Sequence, residues 1–337
     1  MLTPFRCRPV YLEKPWGSGA GLRRLGLPAP ESTGEVWLVS DVEGTPTLIE
    51  DGPYAGRTLR ELVAAEPEAV LGRASGEGDA GGDGPRFPLL VKLLEVAGRL
   101  SVQVHPDGPT AQALGKGPRG KSEAWYVLEV GPEGEVGLGL AGPLGADELL
   151  AAARAGSLPE RMQRFRPAPG DGLEILPGTF HFARQLLFLE VQETCDVTFR
   201  VWDWGSERAL HLPEAAECLR RIPSPGAGEA LRRRGDGELE VAPASPFRFR
   251  VLRLQPGERL RADGALPRVV VSLAGQVTLG PGEDGLPLVA GQAAVAPAAA
   301  PELAIAAAGA AQVAVAWPHD PQPEPARRLV LRRMTLP

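Results

Sequence analysis

Several things are scarce in this chain, and each scarcity removes a class of function. It has three cysteines in 337 residues, Cys7, Cys195 and Cys218. A sparse, odd, widely spaced set argues against a disulfide framework and fits a reducing compartment. No CxxC pair occurs, so the chain offers no ready thiolate zinc site. Long apolar runs are also missing. No stretch reaches the ~18 unbroken apolar residues of a membrane span, and the opening MLTPFRCRPVYLEKPWG lacks the apolar run of a signal peptide. The expectation is a soluble cytoplasmic protein. Charge imbalance is small, a net −6 from 36 basic and 42 acidic residues. That gives no basis for binding nucleic acid or an anionic membrane, and an anionic ligand must be held by a local group of Lys and Arg. Histidine is scarcest of all, at four: His105, His181, His211 and His319. A histidine metal site therefore has few candidates.

What is present reads as ordinary globular protein, 43% hydrophobic and 23% charged, long enough for one large domain or two to three small ones. Residues 1–50 are extended and turn-rich, with GEVWLVSD as a short strand. Thr58 precedes Leu59, Leu62 and Val63, which predicts a short helix with Thr58 as its N-cap. The Gly-rich segment at 72–84 reads as an inserted flexible loop. From Phe87 the texture becomes β-rich: FPLLVKLLEVAG, RLSVQVHPD, KSEAWYVLEV and GEVGLGL. ADELLAAARAG predicts a helix ending at Gly156, and SLPERMQRF a second short one. Strands resume at GDGLEILPGTFHFAR, LLFLEVQET and VTFRVWDW. Residues 207–222 look helical in part, and SPGAGEALRRRGDGELEVAP reads as a linker. Beyond about Phe247, short apolar runs recur every 8–12 residues between Gly and Pro, the spacing of a sandwich or small barrel. The Ala-rich stretch 293–316 is broken as a helix by Pro297, Pro301 and Gly309.

The sharpest local signal is SVQVHPD. Residues two apart in a strand share a face, so Gln103 and His105 point one way, and Val102 and Val104 point the other way into an apolar layer. A polar pair facing into a β-barrel needs partners or a metal. Glu123 lies 18 residues on and His181 a further 58. Imidazole, carboxylate and amide oxygen suit Zn2+ or another borderline divalent ion. A lone histidine is more often structural than ligating, and a lone glutamate is more often solvated.

The order Q-x-H, then Glu, then P-G-x-x-H, with the turn Gly170-Asp171 before the last strand, resembles the metal motif of the cupin superfamily. Gln in place of the first His of the common His-x-His is similar to the type I mannose-6-phosphate isomerases. KPWG at 14–17, GEVWLVS at 34–40, PLLVKLLEVAGRLSVQVHPD at 88–107, GKSEAWYVL at 120–128, PGTFH at 177–181 and LEVQETCDVTFRVWDWG at 189–205 resemble that family too. The likeness runs from about residue 8 to 212. It departs from the family at the Asp-Gly after His105-Pro106, at Phe182 and at TCDVTFR, none of which removes a ligand.

The resemblance implies a mainly β fold: a cupin (double-stranded β-helix jelly roll) with a helical insertion at about 145–166 in residues 1–240. A second, metal-free cupin-like β-domain would follow over 241–337, which has no histidine before His319. It implies a metal-dependent isomerase interconverting mannose 6-phosphate and fructose 6-phosphate through an enediol, with one Zn2+ per chain on Gln103, His105, Glu123 and His181. Arg200 and Lys121 are the candidate catalytic residues. Lys92, Ser101 and Lys121 are candidates for the phosphate, Asp196 for orienting Arg200 or meeting substrate, and Trp16 with Trp37 for lining the sugar pocket. Asp203 could equally be a turn acid, and His211 reads as structural. The expected partner is a phosphorylated hexose, with no nucleic acid and no membrane, in a monomer or weak homodimer. The alternatives are an iron cupin dioxygenase and a non-catalytic sugar-phosphate binder.

Overall fold

The computed structural model describes residues 2–76, 84–223, 230–232, 237–263, 266–280, 285–300, 302–320 and 331–335. In chain order, β1 (Phe5–Arg8), β2 (Val10–Glu13), α1 (Ala20–Arg24), β3 (Thr33–Val39), β4 (Leu48–Ile49), α2 (Leu59–Ala65) and α3 (Pro67–Leu71) come first. Next are β5 (Leu89–Arg99), β6 (Val102–Val104), α4 (Gly108–Ala113), β7 (Glu123–Leu140), α5 (Ala146–Ala155), β8 (Met162–Phe165), β9 (Gly172–Ile175), β10 (His181–Glu193), β11 (Phe199–Trp202) and α6 (Leu212–Arg221). The remainder is strand: β12 (Leu231–Arg232), β13 (Glu238–Glu240), β14 (Phe247–Leu254), β15 (Glu258–Asp263), β16 (Arg268–Ala274), β17 (Gln276–Leu279), β18 (Leu286–Val289), β19 (Ala293–Ala296), β20 (Glu302–Ala307), β21 (Ala311–Pro318) and β22 (Leu331–Thr335).

One sheet has the order β12-β9-β7-β10-β5-β3-β2, with β8 beside β7 and β6 bridging β10 to β11. Its central strands are buried on both faces, which is why they read as continuous apolar runs. The period of two still sorts them. Val91 and Leu93 of β5, Tyr126 of β7 and Leu189 of β10 join one large core, while Leu94, Val96, Trp125 and Phe188 join another on the opposite face. The large core is shared with the later strands, which form the sheets β13-β14-β21-β16-β19-β1-β4 and β18-β17-β20-β15-β22. Thus β1 and β4, from the start of the chain, hydrogen-bond in a sheet built mainly after residue 237.

The expected layer behind SVQVHPD is there. Val102 and Val104 are fully buried with Phe199, Val201, Leu149, Ala153, Ala215 and Cys218, so α5 and α6 cover β6 and β11. Thr58 caps α2 by accepting from the Glu61 N–H, and Gly156 ends α5 with φ 71°.

Three local expectations change. SLPERMQRF is a 3-10 turn over Leu158–Arg161 followed by β8, because Met162–Phe165 finds an open edge on β7. KSEAWYVLEV and GEVGLGL are one strand, β7, which bends where its register against β10 shifts near Leu186. The supposed linker contributes the short strands β12 and β13. Residues 224–229 and 233–236 of that linker, and 77–83 of the expected Gly-rich loop, lie outside the described residues, while Gly72–Gly76 is a 3-10 turn.

Candidate metal centre

Register assembles the site. Gln103 of β6 lies opposite His181 of β10 on one side and opposite Arg200 of β11 on the other. Directly opposed residues of antiparallel strands share a face, so all three stand abreast. Glu123 opens β7 opposite Gln192 of β10, and His105 follows β6 directly. His105, Glu123 and His181 are buried, with their ligand atoms within 4.8 Å of one another.

The hydrogen bonds at the back of each ring settle what faces the centre. His105 Nδ1 lies 3.0 Å from the Val197 carbonyl and His181 Nδ1 lies 2.9 Å from the Thr179 carbonyl. A carbonyl only accepts, so each Nδ1 carries a proton, and a ring with one proton turns its Nε2 lone pair to the centre. The His105 and His181 Nε2 atoms lie 3.2 and 3.1 Å from Glu123 Oε2 and Oε1. Burial acts to raise the Glu123 carboxyl, but Lys121 and His105 outweigh it and hold it well below its usual range. Burial, aided by the Lys121 cation, pushes His105 down to about 3. The centre is therefore a knot of ligand atoms: the Nε2 atoms of His105 and His181 beside an ionised carboxylate, with neither Glu123 oxygen hydrogen-bonded. Such a group repels itself unless a cation sits among it. Lys121 Nζ supplies part of that charge, 3.0 Å from Glu123 Oε2 and 3.3 Å from His105 Nε2.

Gln103 completes the ring from the fourth side, its Nε2 3.1 Å from His181 Nε2 and its Oε1 3.4 Å from Ser101 Oγ. The two ends of an amide exchange by a half-turn, so the same side chain can turn its oxygen inward to a cation. The donor set fits a borderline divalent metal: imidazoles oriented by backbone carbonyls, one carboxylate and one amide oxygen.

Beside this knot lies a charged layer. Trp37, Lys92, Glu190 and Trp125 stand abreast on β3, β5, β10 and β7. Lys92 Nζ lies 2.7 Å from Gln192 Oε1, 3.2 Å from Glu190 Oε1, 3.8 Å from Asp196 Oδ1 and 4.9 Å from the Trp37 ring centre. Burial alone would lower Lys92, but Glu190, Glu35 and Asp196 hold its charge and raise it. Burial and the nearby Glu123 push Glu190 up. Trp125 Nε1–H donates to Glu190 Oε2 at 2.8 Å.

Of the candidates read from sequence, Gln103, His105, Glu123, His181, Lys121 and Ser101 come together at one point. Lys92 and Asp196 meet each other in the adjoining layer. Trp16 is buried in the apolar cluster with Leu94, Val96, Leu100 and Trp125. One expectation fails: Asp196 does not orient Arg200. Arg200 Nη1 donates to the Ala209 carbonyl at 2.8 Å, and the charged groups that act on it are Arg208 and Asp203. Asp203 itself is a turn acid, bound through both oxygens by Arg208. Glu190 and Gln192 escaped the sequence reading, although the alternation in LEVQET carries the same signal as Gln103 and His105.

The chain matches the family model "Phosphomannose isomerase type I, catalytic domain" over residues 5–140. It is 32% identical over 296 residues to the probable mannose-6-phosphate isomerase GmuF of Bacillus subtilis, covering 84% of this chain and 88% of the relative. It is 36% identical over 224 residues to that organism's putative mannose-6-phosphate isomerase YvyI, 64% of this chain and 68% of the relative. Among solved structures, the mannose 6-phosphate isomerase from B. subtilis superimposes with a TM-score of 0.79 at 28% identity, covering 94% of this chain and 99% of that one. A putative mannosephosphate isomerase from Archaeoglobus fulgidus shares the fold, with a TM-score of 0.78 at 20% identity over 95% of this chain and 99% of that one.

Proposed function

The chain belongs to the type I phosphomannose isomerase family, and from that premise we propose that it interconverts mannose 6-phosphate and fructose 6-phosphate with one Zn2+ on Gln103, His105, Glu123 and His181. The observation that carries the reading is the buried knot of imidazole lone pairs and an ionised carboxylate, a group that calls for a cation. A bound ion would supply Lewis-acid polarisation of the sugar oxygens, which lowers the cost of an enediolate.

The chain's own groups supply the rest. His105 and His181 are fixed through their Nδ1–H donors to Val197 and Thr179. Lys121 keeps its proton, because Glu123 and Glu190 offset the burial of its ammonium. It therefore serves as a proton donor or fixed cation beside the reacting oxygens, not as a resting base. Arg200, abreast of Gln103 on the neighbouring strand, adds a permanent positive charge for the enediolate. Lys92 and Ser101 suit the phosphate by charge and hydroxyl donor, Asp196 accepts from a sugar hydroxyl, and Trp16 backs the pocket. The free, buried cysteines fit a cytoplasmic location.

A coupled assay with mannose 6-phosphate tests this. Activity should vanish on chelation, return with Zn2+, and fall by about a hundredfold or more in Arg200→Ala with zinc content unchanged. No turnover by zinc-replete protein would sink the assignment, and full turnover by Arg200→Ala would sink the role given to Arg200.

A further inference from the structure

Arg200 lies on β11, which among the described residues pairs with β6 alone and so leaves one strand edge without a ladder. His211 closes that edge. The Arg200 backbone N–H donates to His211 Nδ1 at 3.0 Å, and the His211 backbone N–H donates to the Arg200 carbonyl at 2.7 Å. One residue thus takes both main-chain polar groups of Arg200, imitating a neighbouring strand. A single N–H has one hydrogen, so the Arg200–Gln103 pair is of the non-hydrogen-bonded kind, in which opposed Cα atoms approach to ~4.5 Å and side chains lie closest. The arrangement fixes the Arg200 backbone opposite the proposed ligand Gln103.

The loop between the two residues is built to present this clasp. Asp203 gathers Ser206 and Arg208. Trp204 takes φ 54°, an unusual conformation for an aromatic residue, with its Nε1–H on the Leu100 carbonyl at 2.7 Å. Ala209, two residues before His211, offers the carbonyl that receives Arg200 Nη1. On its far side His211 starts α6, whose Ala215 N–H bonds back to the His211 carbonyl at 3.0 Å.

We propose that His211 is a positioning residue for the isomerisation: its Nδ1 lone pair fixes the backbone of Arg200, while the loop it ends fixes the guanidinium. This rests on the role given to Arg200 above. The bond requires the imidazole proton on Nε2, the opposite tautomer from that of His105 and His181. Burial and the Arg200 cation lower the pKa of the ring, which keeps it neutral.

The test compares His211→Leu, which removes the acceptor, with His211→Asn, whose Oδ1 can stand where Nδ1 stood. Zinc-replete His211→Leu should lose about 10- to 100-fold in kcat for mannose 6-phosphate. Its KM should stay within about threefold and its zinc content should be unchanged. His211→Asn should recover most of the kcat. Full kcat in His211→Leu, a loss carried by KM instead, or no recovery in His211→Asn would each overturn the proposal. A measurement on the unmutated protein needs no variant to fold: histidine 15N shifts should show His211 with a bare Nδ1, and an Nδ1–H tautomer would refute it. Arg200→Ala run alongside separates the two claims. If it is inactive while His211→Leu is fully active, only the positioning role falls; if it is fully active, the role of Arg200 falls and this one with it.

Discussion

Buried charge in this protein is tolerable only where a partner stands at hand, and the residues differ in how well they meet that condition. Glu123 and Lys92 meet it, each held ionised by groups 3–4 Å away. Asp41 meets it less well. Its carboxylate accepts from the Phe87 N–H and lies 3.5 Å from Arg60, yet burial still pushes it up to about 6. The sign follows from proton counting. An unfolded Asp releases its proton near pH 3.9, so between roughly pH 4 and 6 the folded state binds a proton that the unfolded state has lost. The stability contributed by Asp41 is thus full below that window and lost as pH rises through it, on the order of 2–3 kcal/mol. Asp41→Asn cannot titrate. Its Tm relative to the parent should be more favourable at pH 8 than at pH 4.5, and a difference flat across that range would refute the account.

At the scale of elements, close approach decides sequence as much as hydrophobicity does. Gly137 of β7 lies opposite Phe182 of β10, and a Cβ there would stand 2.1 Å from the phenyl ring. That ring fills the layer between the sheet and the two covering helices, so it cannot retreat without disturbing Val102, Phe199 and α5. Gly137→Ala is expected to destabilise the fold by about 1–3 kcal/mol through overpacking, read as a fall in the denaturant midpoint at constant m. The departure at Phe182 noted in the sequence thus has its counterpart on the facing strand. The same reasoning explains the misread SLPERMQRF: propensity suggested a helix, but an open edge on β7 offered Met162–Phe165 a ladder that local sequence does not reveal.

Across the whole molecule, the chain crosses between sheets at its start. β1 pairs with β19 and with β4, extending the sheet otherwise built from β13, β14, β16, β19 and β21. Phe5, Cys7 and Ile49 are buried in the core shared with the later strands. Residues 241–337 expressed alone would therefore lack three strands of that sheet, β1, β4 and β13, expose the edge of β19 and leave core surface bare. They should give no cooperative unfolding transition by calorimetry. Deleting residues 1–9 from the full chain should lower Tm by several degrees, and an unchanged Tm would show that β1 contributes nothing to that sheet's stability.

Local pattern along the chain was enough to pick out candidate ligands and much of the scaffold. The period of two placed Gln103 and His105 on one face and Val102 and Val104 on the other. Gly156 and Thr58 marked helix ends that the structure keeps, and the breakers in the Ala-rich stretch ruled out a helix there in favour of β19 to β21. These are local effects, set by backbone geometry within a few residues. Pairs distant in the chain were set by the folded arrangement instead. Register put His181 and Arg200 on either side of Gln103, set Glu190 beside Lys92, gave Asp196 to Lys92 instead of Arg200, and drew β1 into a sheet formed some 230 residues later. Strand pairing is fixed by which edges and apolar faces remain to be covered once every strand is present, and no window of neighbouring residues contains that information.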